Sequence, residues 1–365
     1  MKNKIVVFLL IITAYSACKK EKVETVPATI APVEITYDND HPTITLTHIA
    51  FGSCFFQQQF RPTVFSYIQQ KNPELYLGLG DNIYSDDYSG NQHLSDWATY
   101  LTMRYSQLGD SAVFQTFRAN VPMLVTWDDH DFGYNNSAGN FVNKAISKDV
   151  FFNFWNLPKS GKRWERNGIY DSYYYGDADH RLQIIFLDLR WGLDYPGPEP
   201  ISILSDTTKK MMSNEQWTWL KEELKKPAKI RIICSSTQFC TEHNGFEAWA
   251  NFPHEQERMY QTLRDAKAEG AFIISGDLHA TEINKRLPTA LYPLYDFTSS
   301  PLAMPLHGNN TRPSIYRVGN YVDRDNFGIL DINWNGASSQ VTFTAFDSIG
   351  SQLITKTISV SDLKF

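Results

Sequence analysis

The sequence has few cysteines, no basic cluster in its main part and no internal repeat. Four cysteines in 365 residues are too few for the disulfide framework of a small secreted domain. The net charge is -6, and Lys and Arg cluster only at residues 19–22, so we expect no nucleic-acid-binding surface. With 42% hydrophobic and 20% charged residues, the chain can bury a full core and is not expected to be disordered.

Only the N-terminus contains a long apolar run. MKNKIVVFLLIITAYSACKKEK has two lysines, then apolar residues over 5–13, then small residues before Cys18. The run is too short to span a bilayer and is typical of a secretion signal. Residues 1–18 resemble a bacterial lipoprotein signal, in which Cys18 receives the lipid; a plain signal peptide is the alternative. We expect an exported protein that reaches the membrane only through this anchor and faces the periplasm or the cell surface.

The rest of the chain divides into a tether and one domain. Residues 19–42 are polar, contain proline and lack apolar periodicity, as flexible linkers do. Residues 43–365 are predicted to form one monomeric domain without a transmembrane helix, because no later apolar run is long enough. Outside the cytoplasm, Cys234 and Cys240 could form a disulfide, and the sequence leaves that bridge open.

Strand-like and helix-like segments alternate from residue 43 onward. Apolar, β-rich runs are followed by amphipathic stretches such as 60–71 and 95–118, and Ser213 opens a capping box before another. From residue 327 the β-rich runs follow one another closely, which predicts antiparallel strands. The alternation predicts an α/β architecture. In such folds ligands gather at the carboxyl ends of strands.

An acidic cluster follows one of these runs directly. In VTWDDHD, residues 125–131, three carboxylates and His130 come behind an apolar, strand-like segment. Adjacent carboxylates raise one another's pKa unless a cation offsets their charge. Taken alone, the stretch is equally compatible with a bound metal and with a solvated loop that binds nothing.

Three further β-rich runs also end in residues that can bind metal. Each ending has a structural alternative by itself: a buried cysteine, an aspartate in a turn or at a helix start, or a core histidine. Four such endings in one chain favour a shared site. The candidates at the four ends are Cys54, Asp81 with Tyr84, Asp129 beside His130, and Asp277 with His279.

The residue types indicate which metals would suit the site. The two oxygens of Asp81 can bridge two cations, and Cys54 and Tyr84 supply anionic sulfur and oxygen ligands that favour Fe(III). Asp129 and Asp277 supply hard oxygens that suit Ca²⁺ or Mn²⁺. Closely spaced metals lower the pKa of a shared water and hold a phosphoryl group.

Four segments together resemble the PhoD-like (alkaline phosphatase D) family of the calcineurin-like metallophosphoesterase superfamily. FGSC, GDNIY, TWDDHDFGYNN and SGDLHATE stand in the family's order, with further agreement in SNEQWTWLKEEL, STQF and FGILDI. The resemblance implies a two-sheet β-sandwich flanked by helices, the four-layer αββα fold. It also implies an iron and calcium site, with Mn²⁺ or Zn²⁺ as alternatives. The implied ligands are Cys54, Asp81, Tyr84 and His279 for iron, and Asp81, Asp129 and Asp277 for calcium.

The resemblance also implies metal-dependent hydrolysis of phosphate monoesters and diesters. A metal-held hydroxide would attack phosphorus while His130 protonates the leaving oxygen. Asn135 matches a position expected to face the phosphate, with a turn residue as the alternative. A hydrolase restricted to phospholipid or nucleotide diesters is one alternative function, and a non-catalytic surface-binding lipoprotein is another. Every expected ligand position is filled, which favours an enzyme.

Three features near the predicted site stay open. Asp128 could exchange roles with Asp129. Arg190 could reach a phosphate bidentately, although a structural salt bridge is the favoured interpretation. Residues 247–250, Glu-Ala-Trp-Ala, stand where family members often carry Asp-X-Trp-Asp. That departure lies in a predicted substrate loop and bears on specificity more than on catalysis.

Overall fold

A computed structural model of the protein describes residues 39–59, 62–87, 89, 91–304 and 314–365. Strands and helices alternate along these ranges. The strands in these ranges are β1 (Asp40–His41), β2 (His48–Gly52), β3 (Leu75–Leu79), β4 (Met123–Thr126), β5 (Asp171–Tyr175), β6 (Leu182–Phe186), β7 (Ile230–Ser235), β8 (Ala271–Ser275), β9 (Thr281–Arg286), β10 (Leu294–Ser299), β11 (Asn326–Asn333), β12 (Gln340–Asp347) and β13 (Gln352–Ser359). The helices are α1 (Thr63–Gln70), α2 (Trp97–Gly109), α3 (Ala112–Asn120), α4 (Asp129–Phe132), α5 (Lys144–Phe154), α6 (Lys162–Glu165), α7 (Asn214–Lys225) and α8 (Pro253–Ala266). Cys18 and the predicted signal lie outside the described residues.

The strands form two sheets. The seven-stranded sheet has the order β1-β5-β6-β7-β8-β10-β9, and the six-stranded sheet has the order β13-β12-β11-β2-β3-β4. β2, β3 and β4 run parallel, as do β6, β7, β8 and β10. β11, β12 and β13 are antiparallel, as predicted from the sequence. Within each parallel set the carboxyl ends therefore lie along one edge, where ligands bind in such folds.

The sheets pack face to face through side chains that alternate along each strand. In β2, Phe51 belongs to the core between the sheets, whereas Ala50 belongs to a second core on the outer face of the six-stranded sheet. Phe343 of β12 contacts Phe51 at a ring-centroid distance of 5.6 Å and Phe297 of β10 at 5.0 Å. Phe343 therefore joins the two sheets.

Helices cover the outer faces of both sheets. Phe65 of α1 and Phe117 of α3 are buried in the core outside the six-stranded sheet. On the other side, α7 lies against β6, since Gln183 Nε2 donates to Glu223 O at 3.0 Å, and α8 contributes Leu263 to the core that contains β8. The α/β fold with two sheets flanked by helices is confirmed.

Local differences from the sequence-based prediction have identifiable causes. The single helical stretch predicted at 95–118 is two helices, because Ser111 is extended and its side chain accepts from Phe114 N to start α3. The helix start predicted at Ser213 is confirmed, since its side chain accepts from Gln216 N at 3.2 Å. β5 contains three consecutive tyrosines and is buried throughout.

Three further observations concern the domain limits, the cysteines and the membrane. β1 lies just before the predicted domain start at residue 43 and pairs with β5. Cys234 and Cys240 are buried and not bridged. None of the helices in the described ranges is both long and apolar enough to cross a membrane.

We expect Phe343→Ala to lower the free energy of unfolding by about 3–5 kcal/mol, because it leaves a cavity between the two sheets. Phe343 is 0% exposed. Phe365→Ala is the matched control, since this ring is 55% exposed and surface substitutions change stability by about 0.5 kcal/mol or less. Denaturant unfolding followed by tryptophan fluorescence measures both losses. Equal losses would contradict the role of Phe343 in joining the sheets.

Candidate metal centre

The predicted ligands lie in loops that follow the parallel strands. Cys54, Asp81 and Asp277 each stand two residues after the end of a strand, namely β2, β3 and β8, and Asp129 begins α4 after β4. Three of these strands are neighbours in the six-stranded sheet, and β8 is central in the other sheet. The two sheets therefore contribute loops to one site.

Four of the predicted ligands have a left-handed backbone conformation. The φ angle is 59° at Cys54, 50° at Asp81, 64° at Asp277 and 58° at His279. For residues other than glycine, such angles cost on the order of 1–3 kcal/mol and concentrate at functional sites. The chain thus turns sharply at the residues whose side chains meet in the site.

Asp81 is at the centre of the first set of contacts. Its Oδ2 accepts from Cys54 Sγ at 3.4 Å and from Tyr84 Oη at 3.3 Å. Tyr84 Oη lies 3.0 Å from His279 Nε2. Cys54, Asp81 and Tyr84 are buried. The four residues expected to hold iron are therefore linked by contacts that run from Cys54 through Asp81 and Tyr84 to His279.

A second set of carboxylates lies beside Asp81. Ligand atoms of Asp81, Asp129 and His130 lie within 4.8 Å of one another, and so do those of Asp81, Asp128 and Asp277. The sequence left open whether Asp128 could exchange roles with Asp129. Of these two aspartates, Asp128 is the one grouped with Asp277. In both groups Asp81 is the shared carboxylate.

Burial and neighbouring negative charges disfavour the charged forms of Asp81, Asp128 and Cys54. Burial, with the neighbouring Cys54 and carboxylates, raises the pKa of Asp81 well above its usual value. Burial raises the pKa of Asp128 to about 7, although Arg190 acts to lower it. Burial and the charge of Asp277 raise the pKa of the Cys54 thiol to about 12. A cation held by these atoms would offset their charge and favour the ionised forms.

The donor set fits metal ions. Asp128 Oδ2 is buried and has no hydrogen-bond partner among the described residues, and a buried acceptor left unsatisfied costs free energy. A cation bound by Asp128 and Asp277 would satisfy it. Thiol, phenol and imidazole groups on one side and carboxylates on the other match the ligand preferences of iron and of harder divalent cations.

His130 is held at the side of this cluster by Asp86. Its Nδ1 contacts Asp86 Oδ2, and Asn135 N donates to Asp86 Oδ1 at 3.0 Å. The imidazole packs against Tyr84, with ring centroids 4.1 Å apart. Burial acts to lower the pKa of His130, but the carboxylates of Asp129 and Asp86 outweigh it and raise the pKa to about 9. Nε2 is the nitrogen that remains for a ligand.

Sequence reasoning missed three residues that support the cluster. Ser236 Oγ donates to Asp128 Oδ1 at 2.8 Å, and Thr237 Oγ1 donates to Asp277 Oδ2 at 3.1 Å. Both belong to the SSTQF stretch, so a signal for them existed in the family resemblance. Asp86 gave no local signal, since it contacts a histidine 44 residues away.

Arg190 forms the structural ion pairs that the sequence favoured. Its side chain is 1% exposed, which removes it from contact with a substrate at the surface of the site. Nε contacts Asp128 Oδ1, and Nη2 lies 2.7 Å from Glu247 Oε2. Glu247 belongs to the segment that departs from the family pattern, and its carboxylate is part of this buried network.

The chain matches a known protein family over most of its length. A family model described as PhoD-like phosphatase matches residues 49–336, the range that contains the whole cluster. Alkaline phosphatase D of Bacillus subtilis (strain 168) is 24% identical over 269 residues, which is 64% of this chain and 46% of that protein. The chain thus spans about half the length of the curated relative that it matches.

Solved structures show the same fold. A structure of PhoD aligns with a TM-score of 0.66 at 17% identity, covering 87% of this chain and 72% of the other. GAP50, the anchor in the inner membrane complex of Plasmodium, aligns with a TM-score of 0.53 at 12% identity, covering 86% of this chain and 89% of the other. At these identities the likeness concerns the fold alone.

We expect Gly80→Ala to reduce both metal content and stability. An added Cβ would lie 2.6 Å from Asp128 Cβ and 2.8 Å from Asp128 N, so the loops after β3 and β4 would have to separate. Gly197→Ala is the matched control, since its φ of 112° is close to the 108° of Gly80 but nothing lies within 4 Å of its added Cβ.

Elemental mass spectrometry and denaturant unfolding compare the two variants. Backbone strain alone should cost Gly197→Ala about 1–2 kcal/mol, with metal content unchanged. Gly80→Ala should lose more stability and also lose metal. The same metal content in both variants would contradict a metal centre shared by these two loops.

Proposed function

The chain belongs to the PhoD-like phosphatase family, and from this membership we propose that it hydrolyses phosphate esters with the help of bound metal ions. The observation that supports the proposal most is the position of Asp81, whose carboxylate is common to both candidate metal groups. Two adjacent cations can stabilise both the attacking and the leaving oxygen of an in-line displacement at phosphorus. Phosphate monoesters and diesters are the proposed substrates.

The proposed metals follow from the residue types and from the family. Iron is assigned to the thiol, phenol and imidazole side, and calcium to the carboxylate side, with Mn²⁺ or Zn²⁺ as alternatives. When bound, such ions lower the pKa of a water and neutralise charge on a phosphoryl group. The proposed ligands are Cys54, Asp81, Tyr84 and His279 for iron, and Asp81, Asp129 and Asp277 for calcium.

The chain's own residues would position the proton donor. Asp86 holds His130 Nδ1, which leaves Nε2 to give a proton to the leaving oxygen. Packing on Tyr84 restrains the ring. Asn135 is proposed to contact the phosphate, because its backbone N–H bonds the same Asp86 and its side chain is exposed.

The proposed location is outside the cytoplasm. The lipoprotein-like sequence up to Cys18 supports export and a lipid anchor at that residue. Residues 19–42 would then tether a monomeric catalytic domain, residues 43–365, to the membrane on its periplasmic or outer face. The anchor and nearly all of the tether lie outside the described residues.

A non-catalytic binding protein is the alternative from another functional class. GAP50 shares the fold at low identity and is described as an anchor, so this architecture does not by itself establish hydrolysis. The filled ligand positions favour an enzyme, since the loss of a ligand would be expected in a protein that had kept the fold only for binding. Restriction to phospholipid or nucleotide diesters is the remaining enzymatic alternative, and a panel of ester substrates decides it.

We expect chelation to abolish hydrolysis of bis(p-nitrophenyl) phosphate and p-nitrophenyl phosphate by the natively purified protein. Adding iron with calcium should restore it, and elemental mass spectrometry should find both metals. Asp81→Asn removes the carboxylate shared by both groups and should lose metal and at least about 100-fold in kcat.

Asp331→Asn is the control for this substitution, because the side chain of Asp331 is 53% exposed on β11. Its metal content and activity should match those of the unaltered protein. Full activity in chelated, metal-free protein would contradict the proposed function.

We expect His130→Ala to reduce kcat by about 10²–10⁴-fold for an alkyl phosphate ester, whose leaving oxygen needs a proton. The loss should be much smaller for a p-nitrophenyl ester, because p-nitrophenolate leaves without protonation. His48→Ala, at the start of β2 with 27% side-chain exposure, is the control. Equal losses for the two leaving groups would contradict the proton-donor role of His130.

A further inference from the structure

We infer that Asp128 is a metal ligand and that Arg190, clamped by Glu247, is the positioning residue that aims its carboxylate at the ion. The inference rests on the proposed metal-dependent function and adds to it a ligand and two supporting residues. It also separates two adjacent aspartates, Asp128 and Asp129, that the sequence alone treats as interchangeable.

The carboxylate of Asp128 has one satisfied oxygen and one unsatisfied oxygen. Oδ1 accepts from Arg190 Nε and from Ser236 Oγ, the latter at 2.8 Å. Oδ2 is buried and has no hydrogen-bond partner among the described residues. Because two donors fix Oδ1, rotation about the last side-chain bond is restrained. Asp128 also offers a ligand atom within 4.8 Å of those of Asp81 and Asp277, which is the arrangement a bound cation needs.

Asp129 is engaged differently. Its Oδ2 accepts from Asn136 N at 2.6 Å and lies 3.9 Å from His130 Nε2. Asp129 is therefore grouped with Asp81 and with His130, the proposed proton donor. Arg190 Nη2 also lies 3.8 Å from Asp129 Oδ1, but Asp128 is grouped with Asp277 and Asp129 with His130. Each aspartate can therefore serve as a ligand without replacing the other.

Each guanidinium nitrogen of Arg190 has a partner within the protein. Its Nη1 donates to Glu247 Oε1 at 3.0 Å and to Ser137 O at 3.4 Å, and its Nη2 lies 2.7 Å from Glu247 Oε2. Nε is engaged by Asp128. Glu247 thus binds the guanidinium in the bidentate geometry that fixes orientation as well as distance. With the side chain 1% exposed, its role is to position another residue.

The backbone that carries Arg190 is itself held in place. Arg190 N donates to Asp188 Oδ1 at 2.9 Å, and Asp188 N and O both bond the side chain of Gln216 in α7 at 2.8 and 2.7 Å. On the other side, Thr237 Oγ1 lies 3.0 Å from Glu247 O and 3.1 Å from Asp277 Oδ2. The ion pair of Arg190 and Glu247 is therefore linked to the seven-stranded sheet and to both proposed ligands, Asp128 and Asp277.

The charge of Glu247 explains how a cation could bind so near an arginine. A guanidinium paired with Asp128 alone would cancel the charge that attracts an ion. Glu247 supplies a second carboxylate, so the three groups Asp128, Arg190 and Glu247 carry one net negative charge when ionised. Removing the charge of Glu247 should therefore weaken metal binding without touching any metal ligand.

The test measures Mn²⁺ and Ca²⁺ binding to the metal-free full-length protein by calorimetry, with elemental mass spectrometry for stoichiometry. We expect Asp128→Asn to lose one equivalent of divalent cation. Glu247→Gln keeps the size of the side chain and should weaken binding by about 10–100-fold, the usual effect of changing a residue that orients a metal ligand. Glu255→Gln is the matched control, since Glu255 is buried and bonds Trp217 Nε1 at 2.9 Å; its metal affinity should be unchanged.

Arg190→Lys serves as a second variant, since lysine keeps the charge but lacks the fork that Glu247 binds. It should weaken binding to a similar degree; if it does not fold, Glu247→Gln still decides. Unchanged stoichiometry and affinity in Asp128→Asn would overturn the ligand assignment, and unchanged affinity in Glu247→Gln would overturn the positioning role. Normal metal binding without ester hydrolysis in the unaltered protein would defeat the proposed function and leave this inference standing.

Discussion

Repulsion between buried carboxylates is the constraint on which the site depends. Asp81 lies within 4.8 Å of ligand atoms from Asp128, Asp129 and Asp277, and two like charges about 4 Å apart repel by about 4 kcal/mol at an effective dielectric constant of about 20. Side chains free to move would separate. They stay together because each begins in a short loop at the end of a buried strand, and the strands belong to two sheets that Phe343 holds in contact.

The left-handed backbone conformations at the site are related to the same constraint. Left-handed angles at Cys54, Asp81, Asp277 and His279 store conformational strain, which the packed core must offset. A bound cation would turn this mutual repulsion into shared attraction and would couple metal binding to folding at this edge of the sheets. The core thus keeps the donors preorganised, and the ion then requires little rearrangement.

The parts of this arrangement that could be predicted are those with a local signal in the sequence. Strand ends, and the polar residues behind them, are local, so the α/β alternation and the candidate cluster could be predicted from the residues. The arrangement in two sheets was implied by the family resemblance. The break before α3 falls at Gly109-Asp110-Ser111, where α2 ends at the glycine and the Ser111 hydroxyl starts α3. These are local stop and start signals, and the prediction of one continuous helical stretch overlooked them. Asp86 and Glu247 act on His130 and Arg190 across 44 and 57 residues. Such contacts depend on the packing of loops, which residue spacing does not encode.

The roles of the neighbouring residues Asp128 and Asp129 likewise could not be distinguished from the sequence. The two residues are chemically identical neighbours, yet one is extended, with φ -129° and ψ -163°, and the other begins α4. Where a strand passes into a helix, successive side chains leave the backbone in unrelated directions, because neither the period of the strand nor that of the helix applies. Arg190 Nε and Ser236 Oγ can therefore hold Asp128 Oδ1 while Asn136 N donates to Asp129 Oδ2. The different contacts of the two aspartates depend on this junction between strand and helix. The residue types alone do not predict them.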